Sequence, residues 1–513
     1  MSRRGHVAAL VLAAWAVGLG LLARRQLSRS DAERLAEAAT RVTPGAVFYA
    51  VFQGSRQIGF ASSTIDTTAS GISVADYLVA DLPVGGALHR ATARTRVDMT
   101  RALRVRTFSL SLDSDAGPVR VTGRVLGDTL LTFALASGPD RPDTQRVRIE
   151  GPILMPTTLP LAIALGDRPD VGQSYSLPVF DPAAMGPRPV TVSVTAESLF
   201  VLSDSAVFDA GAGRWTTARR DTVRAWQLAA DGAMGFGGWV DEQGRLVEAT
   251  QLGSLTLRRM AYEEAFENWR IEATRGGGSV AADDDIMETT AIAASAPIRT
   301  RQLRRLTVRL TNVDLAGYDL QGARQALRGD TLIVEREDDA ALVPAYTLPA
   351  GMRERFPAEL AAEPLIQSRH SDVVDLARRL SGGETDPRAV AERINRWVYD
   401  SLRKRITFGV PSALQVLRAR SGDCNEHTQL YLALARAAGI PARSAAGLAY
   451  VRGKFYYHAW PEVYLGRWIA VDPTFGQFPA DAAHLRFVTG GLGRQAELLR
   501  LIGSLQVDVL ETR

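Results

Sequence analysis

The chain has 513 residues, 46% hydrophobic and 23% charged, with 60 basic side chains against 56 acidic ones. That length exceeds one ordinary core and that balance is that of a folded chain, which excludes a disordered protein and calls for roughly two to four domains. The formal net charge is only +4, Lys404 and Lys454 are the only lysines, and no basic stripe is interleaved with aromatics, which excludes a polynucleotide partner.

The first predicted element is apolar. Arg3 and Arg4 precede an uncharged run from Val7 to Ala23, and Arg24 and Arg25 follow it. The run lies at the short edge of a membrane-spanning helix and beyond most signal-peptide cores. Residues 1–25 are therefore expected to be a signal anchor, left uncleaved, that binds the membrane. The rest of the chain would then face the extracytoplasmic side, in a periplasm or at a cell surface. A single cysteine suits that side, where spare thiols risk oxidation.

Residues 26–273 are expected to form a mainly antiparallel β domain. After a helix-compatible stretch from Ser30 to Thr40, segments such as Ala46–Val51, Arg104–Leu112, Pro118–Val125, Leu130–Ala136 and Pro189–Val194 alternate apolar with polar residues. Trp239 to Val247 reads as two short strands around an Asp-Glu-Gln-Gly turn. Strands without intervening helices imply a curved or half-closed sheet. The region holds no reactive cluster, so its expected job is binding or spacing. Residues 274–297, with Gly276-Gly277-Gly278-Ser279 and Asp283-Asp284-Asp285, read as a mobile linker. A small β module, 298–350, follows with strands near Arg304–Leu310 and Thr331–Glu335.

Residues 351–490 change character, and 491–513 are left as a C-terminal tail. Asp386 can cap and Pro387 can open a helix to about Arg403, with Val390, Ile394, Trp397, Val398 and Leu402 as its stripe. A second helix begins at Cys424, places Leu430, Leu434 and Ala438 on one face, and stops at Gly439-Ile440-Pro441. Strands follow at Ala442–Tyr450, Phe455–Leu465 and Trp468–Asp472. The expected class is α+β, with the cysteine at the seam between helix and sheet.

Cys424 is the only cysteine, in Ser421-Gly422-Asp423-Cys424-Asn425-Glu426. It has no partner for an internal disulfide, and the positive end of the helix dipole favours its thiolate. By itself such a thiol is a small buried hydrophobe. Its neighbours argue otherwise, because His458 and Asp472 follow in the order of nucleophile, base and orienter. Parity tests whether the last two meet. A two-residue loop at Gly466-Arg467 puts them on opposite faces. A three-residue loop, Leu465-Gly466-Arg467, pairs Tyr464 with Trp468 and Val463 with Ile469. It also sets Trp460 opposite Asp472 and leaves His458 diagonal to Asp472, about 7–8 Å away at the backbone and within reach.

Other residues carry less. His427 shares a helix face with Cys424, but without a second thiol or a tight histidine pair no metal is expected, and His427 reads as a surface or packing residue. Glu462 either polarises the His458 face or is a solvated strand residue. Trp460 either shields the imidazole–carboxylate bond or packs the core. His89, His370 and His484 have no motif around them and read as structural or exposed. No Asp-x-Asp-x-Asp-Gly loop is present, so calcium is not expected. No cofactor site is expected either.

Four segments together resemble the transglutaminase-like superfamily: Arg420 to Glu426, Arg436 to Arg443, His458 to Tyr464 and Trp468 to Thr474. The resemblance covers roughly residues 365–490. It implies a papain-like core with Cys424 as nucleophile, His458 as general base and acid, and Asp472 as orienter. It also implies acyl transfer from a protein or peptide amide through a Cys424 thioester. An amine acceptor would make a crosslinking transamidase, and water a peptidase or amidase. Hydrolysis is favoured over crosslinking, and a noncatalytic binding module is the remaining alternative. The backbone N–H of Cys424 is the one oxyanion donor the sequence offers.

Overall fold

The computed structural model describes residues 35–513 except 38, 69–70, 138–141, 167, 182–185, 231–236, 252–254, 276–284, 301–302, 345, 349–350, 408 and 411. The expected membrane segment, 1–25, lies outside the described residues, as do the glycines of the linker. Among the described residues no helix is long and apolar enough to cross a membrane.

The N-terminal region is a single fourteen-stranded antiparallel sheet running from Gly45–Gln53 to Leu255–Met260. Two meanders share it, and the first strand joins them by pairing with the last, Phe48 opposite Met260. The alternation that signals strands also decides which face is buried. In Val119–Leu126, Val119 and Val121 are buried and Arg120 and Thr122 exposed. The apolar face closes on Leu161 and on Phe180, which packs against Phe108 and Phe133. At the Asp-Glu-Gln-Gly turn, Asp241 Oδ1 accepts from the N–H groups of Gln243 and Arg245, and Gly244 has φ of +72°. The sheet expected from residues 26–273 is thus present.

The two units press on each other near the start of the Cys424 helix. A Cβ on Gly409 would lie 2.5 Å from Ala116 Cβ, so only glycine permits this approach. Ser137 Oγ donates to Ser412 Oγ at 2.9 Å. A cavity of about 210 Å³ between the units is lined by Asp115 and Ala116 on one side and Arg403, Arg405, Ser421 and Glu426 on the other.

Two expectations are corrected. The second half of the linker is docked: Asp285 is buried and accepts from Gly86 N–H, Glu288 takes hydrogen bonds from Lys454 and Tyr456, and Ile292 pairs with Phe455. The C-terminal segment is no free tail, because Gln506–Thr512 is a strand paired along Arg305–Thr311. Those strands, with Gln325–Arg328 and Thr331–Glu335, form a four-stranded sheet. Its Leu306, Val308, Leu332 and Val334 share one core with Leu448, Phe455, Leu485 and Phe487 of the next sheet, so the small module has no core of its own. Composition could not show this, since both contacts depend on partners far away in sequence.

In the C-terminal unit, helices Ser371–Ser381 and Pro387–Ser401 pack on the Cys424–Ala437 helix. Asp386 caps the second of these with Pro387 at its first turn. The Cys424 helix is buried all round, Leu430 through Ala435 being fully enclosed, because helices cover one side and a sheet the other. That sheet orders Ile292–Ala293, Lys454–Tyr464, Ala442–Val451 and His484–Thr489, with Trp468–Ala470 added beside Lys454–Tyr464.

Gly447 holds a close approach in this sheet. It lies opposite His458 on one side and Arg486 on the other, and a Cβ there would sit 2.0 Å from Leu485 O. Gly447→Ala is expected to push the His484 strand away and cost about 1–3 kcal/mol of stability, read by chemical denaturation. An unchanged midpoint would show that the two strands can separate freely.

Candidate active site

Cys424 opens its helix behind a reciprocal cap. Asp423 Oδ1 accepts from Asn425 N–H at 2.9 Å, and Glu426 Oε2 accepts from Asp423 N–H at 3.0 Å. The cap fixes where the thiol points. Thr428, one turn on, donates to Ala459 O at 3.1 Å, which clamps the helix to the His458 strand. Cys424 as a residue is half-buried and packs against the core formed by Leu448, Phe455 and Ala459.

The hairpin has the expected register. Tyr464 pairs with Trp468, Val463 with Ile469, and Val471 N–H continues to Pro461 O at 3.0 Å. His458 and Asp472 therefore meet: Nε2 lies 2.7 Å from Oδ2. The other carboxylate oxygen accepts from the N–H groups of Thr474 at 2.7 Å and Phe475 at 3.1 Å. Asp472 is fully buried, and burial favours its neutral form. The charges and hydrogen bonds of His458 and His484 outweigh this and hold its carboxyl well below the usual range. Trp460 and Phe475 flank the His458 ring, the latter nearly parallel at 4.8 Å. Trp460 is buried beside the imidazole–carboxylate pair, as a shield requires.

The thiol departs from expectation. Burial pushes the Cys424 thiol well up, the Asp423 carboxylate adds to this, and the Ala459 hydrogen bond opposes it without prevailing. The balance favours the protonated thiol, where the cap alone suggests a thiolate.

His484, which the sequence leaves without a role, is 2% exposed and lies behind the pair. Its Nε2 is 2.9 Å from the same Asp472 Oδ2, and its Nδ1 is 2.9 Å from Asp481 Oδ1. The signal is short: an aspartate three residues before a histidine, with Pro479 and three alanines between Gln477 and His484. Nothing local says that Asp472 is the shared partner. His458, Asp472 and His484 are also the one group among the described residues that approaches as metal ligands do. Both nitrogens converge on one oxygen at hydrogen-bond distance, so the arrangement reads as a hydrogen-bonded chain and not a metal centre.

The remaining expectations sort out as packing. His427 is fully buried, donates through Nδ1 to Asp423 O at 2.6 Å, and is kept neutral by burial. It is not on the surface and makes no bond to Cys424. His89 is buried against Asp115, and His370 caps the helix Ser371–Ser381. Glu426 is buried with its carboxyl pushed up to about 8, by burial first and then by Asp423.

Glu462 is not solvated. It is 1% exposed, takes Arg443 at 2.7 and 2.8 Å on Oε2, and takes Arg486 at 2.9 Å on Oε1. Removing it leaves Arg486 buried without its anion. Glu462→Ala is expected to cost about 3–5 kcal/mol in an unfolding titration. A loss below about 1 kcal/mol would mean that the backbone carbonyls around Arg486 suffice.

Residues 374–473 match the core profile of the transglutaminase-like superfamily. No curated protein matches the chain. One similar solved structure, from Cytophaga hutchinsonii, is named as a candidate cysteine protease: it is 17% identical, with 41% of this chain and 86% of that one covered and a TM-score of 0.28. A β-barrel-like protein of unknown function from Brucella abortus is 14% identical over 43% of this chain and 95% of its own, with a TM-score of 0.30. A TGase is 13% identical over 54% and 79%, with a TM-score of 0.17.

Proposed function

We propose that this chain, whose C-terminal domain is transglutaminase-like, is a thiol-dependent acyl-transfer enzyme acting on amide bonds of proteins or peptides, with water favoured as acceptor. One observation carries the reading. The His458 Nε2 bond to Asp472 leaves Nδ1 to work as base, while Thr428 ties the Cys424 helix to Ala459, the next residue along the His458 strand. In the proposed cycle Nδ1 takes the thiol proton as sulfur attacks the carbonyl carbon. The Cys424 backbone N–H faces the developing oxyanion. His458 returns the proton to the departing amine, leaving a thioester. Water, deprotonated by His458, attacks the thioester and releases the carboxylic acid and the thiol.

The same site would accept an amine in place of water, so the test offers both. Protein substrates are incubated with a labelled primary amine. Cleavage without incorporation supports hydrolysis, and incorporation lost in Cys424→Ala makes the enzyme a transamidase. Neither product, together with no acylation of Cys424, leaves a binding module. For residues 1–25 the proposal is a membrane anchor with the bulk extracytoplasmic, motivated by the Val7–Ala23 run. Release of the full chain from membranes by alkaline carbonate would contradict it.

A further inference from the structure

The Cys424–His458–Asp472 arrangement is not the end of the buried chain. Asp472 Oδ2 sits between two imidazoles, at 2.7 Å from His458 and 2.9 Å from His484, and Asp481 holds the second ring from behind at 2.9 Å. Asp481 is itself fixed. Its Oδ2 accepts from Gln477 Nε2 at 2.9 Å, its N–H donates to Gln477 Oε1 at 2.8 Å, and its Oδ1 also accepts from Ala483 N–H at 2.9 Å. A histidine that only filled space would not need a carboxylate on each nitrogen.

We propose that His484, clamped by Asp481, is a positioning residue that sets how tightly His458 holds its proton by sharing Asp472 Oδ2 with it. With a carboxylate on either side, His484 carries a proton on both nitrogens. Burial works against that charge, but the hydrogen bonds to Asp472 and Asp481 raise the ring to about 9. The Asp472 charge is therefore already partly spent when His458 begins to accept the thiol proton. The rings of His458 and His484 are 5.7 Å apart, so the second cation also repels the first directly. Both effects weaken the His458 imidazolium. A base tuned this way leaves the resting thiol protonated and returns its proton readily to the leaving amine.

The charged or titratable groups around this chain come from each neighbouring element. The helix supplies Cys424 and His427, whose titration the Asp472 charge influences. The small sheet supplies Arg324, which donates to Ala480 O at 2.7 Å and faces Glu337. Neither His427 nor Arg324 contacts His484 by a hydrogen bond, so the two aspartates govern its charge.

This inference rests on His458 being the base, yet it can be tested without turnover. In full-length Cys424→Ala protein with histidine ring carbons labelled, the His458 signal is titrated by NMR with and without His484→Gln. Glutamine retains a donor toward Asp472 but no charge. The His458 midpoint is expected to rise by about one to two pH units, the scale for unit charges about 6 Å apart at an effective dielectric near 20. His484→Asn also removes the ring charge and leaves Asp481 in place, and is expected to raise the midpoint in the same sense. A midpoint unchanged or lowered in both variants would overturn the proposal and make His484 a packing residue. If His484→Gln does not fold, His484→Asn decides alone by the same criterion. Failure here leaves acylation of Cys424 untouched, so the two readings fall separately.

Discussion

Cys424→Ala is expected to reduce acyl transfer by at least about 10⁴-fold while the fold survives. The size of the loss follows from the site having one nucleophile. No second cysteine exists in the chain, and Ser421 precedes the helix start and lies on the side of the 210 Å³ cavity. The survival of the fold follows from the helix itself. Its cap is built by Asp423 and Glu426, and its core contacts by Leu430 to Ala435, none of which the substitution touches. Cys424→Ser is expected to fall nearly as far, because an alkoxide is harder to generate than a thiolate with the same base. Circular dichroism and the midpoint of unfolding check the fold, and release of product from a peptide amide checks the activity. A variant that kept a tenth of the activity would remove Cys424 from the reaction.

Asp472→Ala is expected to damage both chemistry and stability, and its stability cost depends on pH in a calculable direction. Two buried imidazoles and the turn N–H groups of Thr474 and Phe475 lose their common acceptor. Breaking such a buried cluster costs about 3–5 kcal/mol. The Asp472 carboxyl is held below its ordinary value, so its contribution is present above the carboxylate range and is lost as pH falls through it. His484 is raised to about 9, so its share is complete below about 6.5 and fades as pH climbs towards 9. The difference in unfolding free energy between wild type and Asp472→Ala should therefore peak near about pH 5–6.5 and shrink on both sides. A difference that is flat with pH would mean that His484 is not charged against Asp472. In activity, Asp472→Asn is expected to lose about 10³–10⁴-fold, since an amide cannot support the imidazolium.

How much of this was readable in advance varies with the range of the interaction. The hairpin that joins His458 to Asp472 was legible because loop length and side-chain parity are local, and Val463 on Ile469 allows only one register. The N-terminal strands were legible for the same reason, alternation being a property of neighbours. Gln506–Thr512 was not, because its partner Arg305–Thr311 lies two hundred residues away and seven residues alone do not name it. His484 was missed because its meaning depends on a carboxylate twelve residues earlier that reaches it only through the turn at Asp472. The state of the thiol is not legible for another reason. A helix dipole can be read from a cap, but the burial that pushes the thiol the other way belongs to the packed structure.

Acylation of Cys424 by a simple activated ester, read by peptide mass spectrometry at neutral pH, tests the central claim most directly. The full-length protein should take up one acyl group on Cys424, at least about tenfold faster than free cysteine, and His458→Gln should abolish that advantage. Acylation no faster than free cysteine, or equally fast without His458, would contradict a nucleophile activated by this histidine.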